Sequence, residues 1–219
     1  MKKYQLRKDR FVFFDSFEKP QFHMTLKYEC PNFLDYCKHN KLPPFHFFLY
    51  CLCQGIKKVD NFCYRIYENE VIKVDKFIPT YTVVNKNNDV NFAKLYACDD
   101  LDSFIKASLK TRNEAMQSEK LINVISGENI RELKNALFIT CFPWFDYSSI
   151  DYPVFQFKSA DIPSFAWGKF LRVDEAHLEM HFSAQAHHGF VDGFHIHLLL
   201  KEISKVIEEI IFKSKNELE

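Results

Sequence analysis

His187-His188-Gly189-Phe190-Val191-Asp192-Gly193 holds the residues best spaced for chemistry in this chain of 219 residues. An imidazole titrates near physiological pH, so it can take a hydroxyl proton and return it to a leaving group. An aspartate four residues on suits a helix start, where it shapes the turn that opens the helix. A polar turn is the plainer reading of the same residues, but two histidines, three spacers and Asp-Gly are more restrictive than a lone histidine.

The flanking pattern says how these groups are held. Val173 to Ala186 reads as a strand, and Phe194 to Ile211 as an amphipathic helix with Ile196, Leu199, Leu200, Ile203, Val206, Ile207 and Ile210 on one stripe. The motif therefore falls on a strand-to-helix turn. Upstream, Phe22 to Tyr28 alternates like a strand, Phe33 to Asn40 forms a short helix, and Pro43-Pro44 opens a buried helix over Phe45 to Val59. Phe62 to Glu68 and Val71 to Phe77 make a hairpin joined at Asn69-Glu70, followed by strands near Tyr81 to Val84 and Asn91 to Ala97 with a turn at Asn85 to Asp89. Asp99-Asp100 caps a helix reaching about Leu121, and Ser126-Gly127-Glu128-Asn129 is a loop. With no repeat or linker, the expectation is one α/β layered domain over residues 1–219.

Composition bounds the alternatives. At 47% hydrophobic residues with 24 Phe, the chain can bury one large core. Lys plus Arg equal Asp plus Glu at 29 each, so no net field draws it to nucleic acid or to an anionic membrane. Seven cysteines scattered through apolar segments do not read as a secreted disulfide framework, and no signal-peptide or membrane-spanning run appears. A cytoplasmic location is expected.

The motif, with Phe194-His195 after it, resembles the signature of the chloramphenicol acetyltransferase family. Leu6-Arg7-Lys8-Asp9-Arg10-Phe11 is similar to the family's Trp-x-Arg-Lys-Glu-His-Phe opening, Tyr81-Thr82-Val83-Val84 to its Tyr-Thr-Val-Phe segment, and Thr140-Cys141-Phe142-Pro143-Trp144 to its Ser-x-x-Pro-Trp strand. Val154 through Phe170 also fits, so the likeness covers nearly the whole chain. It implies a two-layer sandwich: a mixed, mostly antiparallel sheet with helices packed on one side. It also implies a homotrimer with active sites between subunits, direct acetyl transfer from acetyl-CoA to a hydroxyl of chloramphenicol, antibiotic resistance and no metal.

Residue by residue, the resemblance makes His188 the general base, Asp192 and Arg7 a pair that holds the turn, and Thr140 the stand-in for the serine that donates to the oxyanion. Lys41 and Lys169 match lysines near the CoA 3′-phosphate, and Phe170 replaces a tyrosine near the adenine. Phe13, Phe14, Phe92, Ile150, Tyr152 and Ala166 fall at acceptor positions. Several of these depart from the family: Phe14 stands for tyrosine, Ile150 and Tyr152 for Phe and Leu, Ala166 for a threonine that helps hold a water, and Glu18 near a leucine.

Three other readings compete. The chain keeps the fold but binds a small molecule without turnover; it acetylates a different hydroxyl; or His177 and His181, or else His195 and His197, join Cys51, Cys53 and Asp192 in a metal site, although no zinc-type spacing is present. Dehydrogenase acyltransferase domains and peptide-synthetase condensation domains share the motif, but their chains are built differently.

Overall fold

The computed structural model describes residues 2–124, 129–153, 160–174 and 177–216. Two sequence expectations, the loop at Ser126–Glu128 and the Val154–Ser159 part of the family match, lie outside the described residues.

In chain order the elements are α1 (Lys2–Gln5), α2 (Lys8–Asp15), β1 (Gln21–Glu29), α3 (Phe33–His39), α4 (Pro44–Lys58), β2 (Tyr64–Tyr67) and β3 (Glu70–Lys73). They continue as β4 (Ile78–Val84), β5 (Val90–Lys94), α5 (Leu101–Gln117), α6 (Ile130–Leu133), β6 (Ala136–Cys141), β7 (Ser164–Trp167), β8 (Leu171–Arg172), β9 (Leu178–His187) and α7 (Gly193–Asn216).

The main sheet runs β1-β9-β7-β6-β4-β5, with β8 also on β9. The pairs β4–β6 and β6–β7 are parallel and the rest antiparallel, so the sheet is mixed and mostly antiparallel.

One face of this sheet is covered by helices. Alternation on β9 aims Leu178, Met180, Phe182, Ala184 and Ala186 into the core. From α4, Phe48 meets Tyr28, Trp167 and Phe182, and Phe45 meets Tyr81, so this one helix spans four strands. That explains why it is apolar on nearly every side. Gly55 lets α7 pass close: a Cβ there would sit 2.8 Å from Ile203 Cγ1. The buried stripe Ile196, Leu199, Ile203 and Ile207 lays α7 on the same layer, and Tyr28 and Ser204 hydroxyls tie it to β1 at 2.9 Å.

Several boundaries differ from the sequence pattern for local reasons. The strand expected from Val173 begins at Leu178. The Val173 amide donates to the His177 carbonyl, and the Asp174 carboxylate accepts from the His177 amide, both at 2.9 Å, closing the β8–β9 reversal. The β2–β3 hairpin turns at Glu68 and Asn69, whose φ values of 50° and 63° suit the two-residue turns that match strand twist. Its first strand starts later than expected because Asp60–Cys63 coils into a 3-10 turn that buries Phe62, and its second ends at Lys73. Helix α5 stops at Gln117, where the Asn91 amide collects the carbonyls of Ala115, Ser118 and Lys120.

Candidate active site

The turn between β9 and α7 is built around His188. Its backbone amide donates to the Pro20 carbonyl at 2.7 Å, which fixes the end of β9 to the residue before β1. The ring lies between two phenylalanines, Phe14 at 3.8 Å and Phe22 at 4.8 Å between centroids. Nδ1 is 3.0 Å from the Val191 carbonyl. A carbonyl only accepts, so in the neutral ring the proton sits on Nδ1 and the lone pair on Nε2.

Asp192 caps α7. Its Oδ1 accepts from the amides of Phe194 (3.1 Å) and His195 (3.4 Å), while Arg7 Nη1 donates to Oδ2 at 3.0 Å. The same guanidinium reaches the carbonyls of Gly189 (3.3 Å) and His188 (3.4 Å), so α1–α2 is bolted onto the turn across 185 positions of sequence. Burial opposes ionisation of Asp192, but the charges and hydrogen bonds of His195 and Arg7 outweigh it, and the carboxyl titrates below its ordinary range. His195 Nδ1 lies 2.8 Å from Oδ1, yet burial holds that imidazole down, so at neutral pH Arg7 supplies the positive charge.

A second constellation sits on the helix-free face of the sheet. Register aligns Thr140 with Ala166, Ala166 with Ser183 and Ser183 with Thr25, one row crossing β6, β7, β9 and β1. Phe92, opposite Thr82 on the β4–β5 pair, continues that face, because its neighbour Ala93 pairs with the core residue Tyr81. Polar groups gather here. Ser183 Oγ shares a 2.6 Å hydrogen bond with Thr25 Oγ1 and accepts from the Tyr147 hydroxyl at 3.1 Å, and Thr25 meets His23 Nε2 at 3.4 Å. Tyr152 stands edge-on to His23 at 5.7 Å, its hydroxyl buried without a partner among the described residues and its pKa pushed up by that burial.

One chain does not bring the two constellations together. From Thr140 to Ser183 is two strand spacings, and from Ser183 to His188 is five residues of strand, so Thr140 and His188 are on the order of 20 Å apart.

The remaining predicted residues are distributed as follows. Phe13 is exposed and packs edge-on to Phe14 and Phe17. Ile150 is half-buried, and Glu18 is exposed. Phe170 stacks on Phe33 at 5.2 Å, at the start of α3, and Lys41 follows the end of α3, roughly 10 Å further along. Lys41 and Lys169 are both exposed, which suits a polyanion gripped at the surface.

Among the described residues no three His, Cys, Asp or Glu side chains converge as a metal site. Cys51 and Cys53 are buried and their thiols are held protonated, as is Cys141, pushed up to about 12 by burial, so none of the three offers a thiolate at neutral pH. His177 pairs with Asp174 outside the strand, and His181 with Asp146.

Sequence reading missed several partners of the site: Phe22, the Pro20 and Val191 carbonyls, Asp15, and the hydroxyls of Thr25, Tyr147 and Ser183. Only Phe22 carried a signal. Alternation on β1 put it on the core side, opposite Ala186.

The sheet order and the layer of helices on one side define the fold of CoA-dependent acyltransferases. A solved chloramphenicol acetyltransferase superposes with TM-score 0.80 at 22% identity, covering 92% of this chain and 94% of that one. A dihydrolipoamide acetyltransferase from Azotobacter vinelandii superposes at 0.67 with 11% identity, over 94% of this chain and 88% of that one. The family model for chloramphenicol acetyltransferase matches residues 2–204. A chloramphenicol acetyltransferase of Escherichia coli is 25% identical over 205 residues, 93% of this chain and 90% of that protein. The chain therefore belongs to the chloramphenicol acetyltransferase family, a family of acyltransferases.

Proposed function

We infer that the protein transfers the acetyl group of acetyl-CoA to a hydroxyl of a small molecule, with chloramphenicol the first acceptor to try and antibiotic resistance the consequence if it is used. The observation that carries this is the His188 tautomer: Nδ1–H held on the Val191 carbonyl leaves Nε2 as a base between two aromatic walls. The acceptor oxygen attacks the thioester carbon while its proton passes to Nε2. The Thr140 hydroxyl donates to the oxyanion of the tetrahedral intermediate. Collapse breaks the C–S bond, and the departing sulfur takes the proton back, giving the acetyl ester and free CoA.

The separation of Thr140 from His188 supports a homotrimer in which one subunit's base faces another subunit's Thr140. Lys41, Lys169 and Phe170 are the coenzyme side of that cleft, and Phe13, Phe14, Phe92, Ile150, Tyr152 and Ala166 the acceptor side. Seven free thiols fit a reducing cytoplasm.

A second reading, a more polar hydroxyl acceptor, is favoured by one observation: the hydroxyls of Ser183, Thr25, Tyr147 and Tyr152 and the ring of His23 beside the Thr140 row. The test is mass-spectrometric detection of acetylated chloramphenicol from acetyl-CoA, wild type beside His188→Ala. Product from wild type alone supports the first reading. No product from either folded protein removes chloramphenicol and sends the same assay to polyhydroxylated acceptors.

A further inference from the structure

His187 is absorbed by nothing above, yet it is more tightly held than the base beside it. Its side chain is 0% exposed, so it touches no acceptor. We propose that His187 is a positioning residue, clipping α2 to the turn that carries His188 through an imidazole whose two nitrogens do different jobs.

The geometry assigns the jobs. The Gly189 amide donates to His187 Nδ1 at 3.1 Å, so Nδ1 must hold a lone pair. The proton is then on Nε2, which faces Asp15 Oδ1 at 3.2 Å. Asp15 is the last residue of α2, and three side chains of that helix reach the turn. Phe11 lies against the His187 ring at 5.5 Å and stacks on Phe190 at 5.0 Å. Phe14 covers His188, and the Asp15 carboxylate accepts the hydrogen bond from His187 Nε2. The fit is close: a Cβ on Gly189 would come within 2.8 Å of Phe11 Cα and 3.0 Å of His187 Nδ1. Thus the clip sets the position of α2, α2 sets Phe14, and Phe14 with Phe22 sets the plane in which His188 reaches the Val191 carbonyl and fixes its tautomer.

Protonation undoes the clip, because a second ring N–H would confront the Gly189 N–H. Burial keeps the ring neutral, opposing Asp15 from α2 and Asp161 from before β7, which favour the cation; His188 disfavours it. Arg7 on the Gly189 carbonyl and Tyr4, packed on Phe11 and Phe190, complete the surround.

The inference rests on His188 being the base, and its test has one readout that needs no acceptor. His187→Asn places an amide oxygen near Nδ1 and keeps the Gly189 bond only; His187→Gln reaches Asp15 only. Asp15→Asn keeps an acceptor oxygen, and Asp15→Ala removes it. Folding is checked by urea titration, the His188 tautomer by long-range proton–nitrogen spectra, and kcat and KM by acetyl transfer. His187→Asn and Asp15→Ala, which both lose the bond to α2, are expected to turn a single His188 tautomer into a mixture and to lower kcat about tenfold or more, with KM for acetyl-CoA within about twofold. Asp15→Asn should restore most of both.

Folded variants with an unchanged His188 tautomer and kcat, or with a loss confined to KM, would overturn the proposal. So would Asp15→Asn and Asp15→Ala behaving alike. If the His187 variants do not fold, the Asp15 pair decides, since that side chain is 47% exposed. Absence of acetyl transfer by wild type would overturn the functional reading instead, and the spectra would still answer for the clip.

Discussion

Around His188 the ring nitrogen, the backbone amide and the carbonyl all have partners within the chain, and Asp192 is held by Arg7 and His195 at once. On the helix-free face around Thr140, hydroxyls share one another's protons and the Tyr152 hydroxyl is buried with no partner among the described residues. The first region is finished by its own sequence. The second is a prepared surface, and on the proposed function the difference means that the base is preorganised inside one subunit while the groups that would stabilise the oxyanion and the acceptor need another subunit and a ligand to complete them.

The largest expected effect breaks the finished half. His188→Ala should lower kcat by about 10²–10⁴-fold, because the proposed general base is lost while Asp192 and Arg7 still hold the turn. Thr140→Val, nearly the same shape without the hydroxyl, should cost about 10²–10³-fold through the oxyanion. Mixing the two inactive proteins after reversible dissociation sharpens the comparison. If sites form between subunits, about one interface in four pairs an intact His188 with an intact Thr140, and activity returns to roughly that fraction. A mixture that stays dead, with exchange of subunits demonstrated, would put both residues to work in separate places and sink the shared site.

Next comes the clamp. Arg7→Ala removes the donor to a carboxylate that is 33% exposed, so the expected loss is about 1–2 kcal/mol of stability, discounted for solvent screening. The native pKa of Asp192 is depressed, so its contribution is present above the ordinary carboxylate value near ~4 and is lost as pH falls through the lower native value. Urea midpoints measured from pH 7 down to pH 3 should converge for wild type and Arg7→Ala at the acid end. Parallel curves would mean that Arg7 stabilises by packing alone.

How far the sequence reaches follows the same division. The strand-turn-helix that carries His188 was legible because period-two and 3.6-residue patterns meet at Asp-Gly. The buried α4 was legible from its all-round apolar surface. Helix α2 was not, because Lys8-Asp9-Arg10 on its exposed side hides the two ring positions, Phe11 and Phe14, that face the turn. Nor was the Thr140 row, because alignment of Thr140, Ala166, Ser183 and Thr25 depends on register between strands far apart in sequence, which no local pattern encodes. Departures at Tyr152 and Ala166 read as separate substitutions in sequence. In space they belong to one face, where a methyl replaces a hydroxyl at Ala166 and a hydroxyl is gained at Tyr152.

The smallest expected effect tests whether that face is truly unfinished. The Tyr152 hydroxyl is buried with no partner among the described residues, and a hydroxyl so placed costs its desolvation and returns nothing, so Tyr152→Phe should leave stability unchanged or raise it by about 1 kcal/mol in urea titration, while Arg7→Ala lowers it. The catalytic readout separates two reasons for keeping such a group. If the hydroxyl awaits an acceptor, Tyr152→Phe raises KM for a polar acceptor and leaves kcat with chloramphenicol near wild type. If it serves only packing, every acceptor responds alike, and the preference for a polar acceptor falls while the acetyl-transfer reading stands.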